Sequence, residues 1–164
     1  MKRDYVIEYN CGIDEELCFN TADAFLDVGM YCNEYDKRAQ AESILFACDA
    51  FYAIPAIVNI AFACELYLKA LILRETSKPS RGHNLSALYD KIPTPIRNIV
   101  ENQFENKCKN PVSLLETLEI HKNSFDNWRY IHEHKNKDSE AYLDNLILAA
   151  EVLRNELERK KLKH

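Results

Sequence analysis

The chain has 164 residues, 47% hydrophobic and 29% charged, a balance that excludes a disordered or fibrous polymer and fits one soluble domain with a single core. Three glycines and five prolines leave too little turn material for a many-stranded sheet, so the composition favours long helices. A formal charge of −5 excludes indiscriminate binding of nucleic acid over the whole surface, while leaving room for a local basic site.

The opening stretch, MKRDYVIEYNCGIDEE, has no apolar core of the secretory type and turns acidic at once. Six cysteines (Cys11, Cys18, Cys32, Cys48, Cys64 and Cys108) form no C-x-x-C pair and have no nearby histidine partner. The expectation is a cytoplasmic protein whose reduced thiols pack as small hydrophobes, with no disulfide framework, no metal site and no cofactor. One domain is expected over residues 1–164, with 1–13 and 158–164 as flexible ends.

From Asp14 to Phe51 there is no proline, and apolar residues recur at three and four: Phe25, Val28, Cys32, Tyr35, then Ile44, Leu45, Cys48, Phe51. That period predicts an amphipathic helix, with an interruption near Asp36–Arg38. Pro55 suits the first turn of a second helix, where its missing N–H is harmless. That helix, IPAIVNIAFACELYLKALILRET, is apolar nearly all round, and from Ile54 to Leu73 only Asn59, Glu65 and Lys69 are strongly polar. Twenty apolar-rich residues are enough to span a bilayer. Glu65 and Lys69, however, would each cost about 2.5–3.5 kcal/mol at mid-bilayer. The central helix of a soluble bundle is therefore expected, without a membrane.

After RETSKPSRG a short helix is predicted over HNLSALYDKI. PTP then breaks the chain and restarts it as IRNIVENQFENKCK, with Ile96, Ile99, Val100 and Phe104 on one stripe. Asn110–Pro111 marks another break. SLLETLEIHKNSFDNWRYIHEH reads as one helix, or as two with a bend near Asn123–Ser124. Ser139 is placed to cap a last helix bearing Leu143, Leu146, Ile147, Ala150, Leu153 and Leu157, which ends in the basic run ERKKLKH. No strand-like alternation or repeat occurs, so the fold class is all-α, a bundle of five to six helices.

The chemistry-bearing residues fall into three groups. Glu65 and Lys69 are four apart with glutamate first, the favourable orientation on one helix face. Arg129 and Glu133 form a second such pair on another apolar helix. If these helices face each other, the four charges make one internal network. His83 sits at a helix start, where capping, a carboxylate contact and substrate binding are all open to it. In NWRYIHEHKN, Arg129 is followed at three residues by His132 and at five by His134. Arginine plus histidine suits RNA cleavage, because imidazole moves protons near neutral pH and guanidinium holds phosphate bidentately. Residues five apart on a straight helix point about 140° apart, so Arg129 and His134 need long reach, a helix end or a second copy to converge. His132, between Ile131 and Trp128, suits packing as well as chemistry. There is no phosphate-binding glycine loop, no G-x-S-x-G elbow and no H-E-x-x-H.

Three blocks together resemble the HEPN (higher eukaryotes and prokaryotes nucleotide-binding) domain family: E-L-Y-L-K at Glu65–Lys69, G-H-N-L at Gly82–Leu85, and W-R-Y-I-H-E at Trp128–Glu133. The resemblance runs from about Ala41 to Arg154. It implies an up-and-down four-helix bundle core with additional short helices, dimerising through the faces that carry these polar residues. Many family members are metal-independent ribonucleases of toxin–antitoxin, abortive-infection and phage-defence systems, with an arginine followed after four to six residues by histidine. Arg129 and His134 match that spacing and are the implied catalytic pair, with Glu65, Lys69, His83, Tyr130, His132 and Glu133 in support. Tyr130 departs from the pattern, since the residue after the arginine is commonly polar in the nucleases. The implied partners are a second copy, RNA, and an antitoxin or nucleotidyltransferase. The other reading is a non-catalytic binding or assembly module in which Glu65, Lys69, Arg129 and Glu133 form a structural charge network. Ligand binding between the helices without turnover is a third.

Overall fold

A computed structural model describes residues 14–41, 52–109, 111–129 and 142–161. Among them are seven helices and no strand: α1 (Glu15–Ala41), α2 (Ala53–Thr76), α3 (Leu85–Tyr89), α4 (Thr94–Lys107), α5 (Leu114–Ile120), α6 (Ser124–Arg129) and α7 (Leu143–Lys161). The four long helices α1, α2, α4 and α7 form the all-α bundle, and α3, α5 and α6 are its short additions. Phe19 meets Tyr67 and Phe25 meets Phe62, so α1 runs antiparallel to α2. Cys64 lies by the Leu146 carbonyl and Arg74 donates to the Leu157 carbonyl at 2.7 Å, so α7 runs parallel to α2, as up-and-down order requires.

α1 is continuous through Asp36–Arg38, and the expected interruption is absent. No proline or glycine stands there to break it. Asp36 is buried, and Arg38 donates to Glu34 one turn earlier at 3.2 Å. Its inward stripe only partly matches the expected one: Cys32 is buried and Phe25 packs against the core. Val28 and Tyr35 are exposed, at 51% and 47%, whereas Phe19, Ala22, Leu26, Gly29, Asn33 and Asp36 face inward. The buried face is centred one residue on from the expected stripe and overlaps it at Phe25 and Cys32. Gly29 decides between them, because a Cβ there would lie 2.5 Å from the Ile60 side chain and 3.3 Å from the Ala56 carbonyl oxygen. The α1 and α2 backbones thus approach where only a hydrogen fits.

α2 is the centre of the fold, packing against α1, α3, α6 and α7. Among the described residues it is the one helix long and apolar enough to cross a membrane by length and composition, and 67% of that window is buried inside the fold. Apolar residues all round are what a helix needs when neighbours cover each of its faces. Polar ties fix those neighbours. Asp23 of α1 accepts from the Tyr67 hydroxyl at 2.5 Å and from Arg154 Nε of α7 at 2.9 Å, joining three long helices. Burial, then the hydrogen bond to Asp23, pushes the Tyr67 hydroxyl above its ordinary range. Glu101 of α4 accepts from the Tyr89 hydroxyl at 2.8 Å and the Leu114 N–H at 2.7 Å, joining α3, α4 and α5.

Of the two readings of residues 113–129, the bent one holds: α5 and α6 are separate helices joined by a turn at 121–123. Ser113 and Glu116 form a capping box that starts α5. His121 ends it, 1% exposed, with Nδ1 3.0 Å from Ser124 Oγ at the start of α6. The last helix, α7, continues to Lys161, well into the basic run.

Two stability predictions follow from this packing. Gly29→Ala should lower unfolding free energy by about 1–3 kcal/mol in a urea titration, since Ile60 is fully buried and has nowhere to move. An unchanged midpoint would mean that α1 and α2 are not in such close contact. Burial pushes the His121 imidazole down to about 4, opposed by the Tyr142 backbone. The unfolded chain, with an ordinary imidazole near 6.5, then binds more protons than the folded one between these values. Stability contributed by neutral His121 is therefore present above pH 6.5 and falls by up to about 3 kcal/mol as pH drops toward 4. His121→Gln should flatten that part of the stability profile.

Candidate functional site

The site grows from one carboxylate. Glu65 lies midway along α2 with only 1% of its side chain exposed. A carboxylate so buried must be charged and paired or give up its charge. Lys69, one turn on, donates to Oε1 at 2.6 Å and keeps 20% of its own side chain exposed. Lys69 also acts on Cys18 of α1: burial raises that thiol, and the lysine is the first influence opposing it.

The second partner comes from the loop after α2. Ser77, at φ 56°, closes α2 and donates its N–H to the Leu73 carbonyl at 2.8 Å. Lys91 clips the returning loop through Ser80 Oγ at 2.9 Å and the Arg81 carbonyl at 3.1 Å. Gly82 then adopts φ 105°, a conformation side chains resist. Asn84 caps α3 by accepting from the Ala87 N–H, and the Leu85 N–H donates to the Lys122 carbonyl at 3.1 Å. Between these fixed points His83 places Nδ1 3.0 and 3.2 Å from the two Glu65 oxygens. A carboxylate can only accept, so Nδ1 carries the hydrogen. The imidazole itself is 60% exposed.

Arg129 ends α6 and is exposed, its guanidinium carbon 4.6 Å from the centre of the Phe125 ring. Phe125 stacks on Phe62 of α2 at 4.7 Å, and Phe62 meets the edge of Phe25 of α1 at 4.6 Å. This aromatic column locks α6 onto α2 three residues before Glu65 and supports Arg129 from below.

Of the residues singled out from sequence, the structure brings Glu65, Lys69 and His83 together. In the anticipated network Arg129 shared the interior with Glu65. Instead His83 takes the second place on that carboxylate, and Arg129 stands on Phe125 at the surface. The ordered loop from Ser77 to Asn84 carries the imidazole to Glu65. Tyr130, His132, Glu133 and His134 lie outside the described residues. The column of Phe25, Phe62 and Phe125 was missed, although Phe125 and Arg129 stand four apart and Phe62 and Glu65 three apart, the spacings of helix neighbours. Among the described residues no three histidine, cysteine, aspartate or glutamate side chains gather as metal ligands. An open cleft of about 400 Å³ lies elsewhere, between α4 and α5, lined by Arg97, Glu101 and Ser113 among others.

The HEPN domain family model matches residues 34–160, most of the chain, and takes in Glu65, Lys69, His83 and Arg129. The chain belongs to the HEPN domain family. No curated protein and no solved structure matches it.

Glu65→Ala leaves the Lys69 ammonium half-buried without its carboxylate and strips His83 of its anchor. It should lower stability by about 3 kcal/mol in chemical denaturation. A variant that melts like the parent would show that the pair contributes nothing to holding the fold.

Proposed function

We propose that this HEPN-family protein is a metal-independent endoribonuclease that acts as a homodimer in the cytoplasm. Arg129 holds the scissile phosphate, and His134 activates the 2′-OH or protonates the leaving oxygen. The setting is a toxin–antitoxin or phage-defence system, with an antitoxin or nucleotidyltransferase as the restraining partner. One observation carries the reading: Arg129 is a surface guanidinium seated on Phe125, while the buried Glu65 is satisfied by Lys69 and His83. An arginine serving only as internal counter-charge would be buried beside that carboxylate. A surface guanidinium stacked on an aromatic ring suits a phosphate. Dimerisation answers the angular problem of two residues five apart, because one copy's arginine can meet the other's histidine.

The depth of Glu65 favours a second reading, a non-catalytic assembly module whose charges serve the fold. Purified protein incubated with single-stranded RNA in excess EDTA separates the two. On the ribonuclease reading the wild type cuts, Arg129→Ala and His134→Ala each cut about 100-fold or more slowly, both melt within a few degrees of the parent, and sedimentation gives a dimer. Intact RNA after prolonged incubation with the dimer, together with harmless expression in cells, would leave only the assembly module.

A further inference from the structure

The geometry points to His83, held by Glu65, as a proton-transferring residue of this site and not merely a tie between loop and helix. The inference rests on the ribonuclease reading. Three observations support it. The Glu65 carboxylate already has a full counter-charge in Lys69 at 2.6 Å, so an imidazole is not needed to neutralise it. The pair is also lopsided, with the carboxylate 1% exposed and the imidazole 60% exposed. A contact made only for stability would gain most by burying both groups. Finally, Nδ1 is engaged by Glu65, while Nε2 makes no hydrogen bond among the described residues.

A buried carboxylate on Nδ1 fixes the tautomer. The proton stays on Nδ1, and Nε2 offers its lone pair to whatever occupies the exposed side of the ring. The loop that carries His83 is rigidly built, clipped by Lys91 and turned by Gly82 at φ 105°. It also exposes Lys78 and Arg81, two cations within five residues of His83 on a chain of net charge −5. The chemistry that fits is a ribose 2′-hydroxyl next to a phosphodiester. His83 Nε2 takes the 2′-OH proton, O2′ forms a bond to phosphorus, and the P–O5′ bond breaks. The departing O5′ takes a proton from His134, the proton donor of the ribonuclease reading, and exchange with water returns both imidazoles to their starting states. The products are a 2′,3′-cyclic phosphate end and a 5′-hydroxyl end. In this assignment Glu65 is a positioning residue.

Two measurements on the full-length protein test it. RNA cleavage by His83→Ala should show kcat reduced about 100-fold or more with KM within a few-fold, unchanged melting, and partial recovery in added imidazole. Ring-nitrogen NMR at about pH 8, above the ordinary imidazole range, should show His83 protonated on Nδ1, and Glu65→Gln should lose that preference. If Arg129→Ala and His134→Ala abolish cleavage while His83→Ala cuts like wild type, His83 has no such role and the proposed function stands. A proton on Nε2 in the wild type also overturns the assignment, whatever the activity. If the wild type cuts no RNA, the ribonuclease reading and this role fall together.

Discussion

Glu65 is a carboxylate buried in the middle of a largely apolar helix, and the neighbourhood is organised around giving it partners. Lys69 supplies the counter-ion from the same helix, where a four-residue spacing makes the contact local and needs no help from the fold. The second contact is of another kind. His83 is eighteen residues away, and bringing it back requires a left-handed helix end at Ser77, a lysine clip at Lys91, a glycine turn at Gly82 and a cap at Asn84. That much ordered loop around one imidazole is why His83 reads as more than a helix-start residue.

The surrounding bundle follows from two constraints on α2. One face must accept α1 at backbone contact, which Gly29 permits against Ile60 and Ala56. Another must accept α6, and here aromatic rings fill the space from Phe25 through Phe62 to Phe125. The column ends under Arg129, so the packing that completes the core also supports a surface cation. Core and candidate site are thus adjacent layers of one stack. The polar ties of Asp23 and Glu101 do their work farther out, fixing the relative positions of helices whose apolar contacts are non-directional.

Membership of the HEPN family gives the chain a fold and a general kinship. The site itself must be argued from this chain's own atoms. Seen that way, the residues separate by environment. Glu65 and Lys69 belong to the interior, Arg129 to the surface, and His83 to the boundary, with one nitrogen facing each side. A boundary position is where an imidazole can be held firmly and still meet a ligand.

Much of this was legible in the sequence, because it depends on short spacings. The helix period along α2, α4 and α7, the Glu65–Lys69 pair and the break before Pro95 are all local, and local geometry repeats wherever the residues repeat. The phase of α1 was not. Val28 and Tyr35, which are exposed, and Gly29 and Asp36, which face inward, have the same seven-residue spacing, and no local rule chooses between them. The choice was made by Ile60 on another helix, which leaves room for a hydrogen and not for a side chain. The same holds for the partner of Glu65. Arg129 and His83 were both plausible on charge alone, and the preference for His83 rests on where a loop returns, a property of the folded chain that no spacing in the sequence encodes.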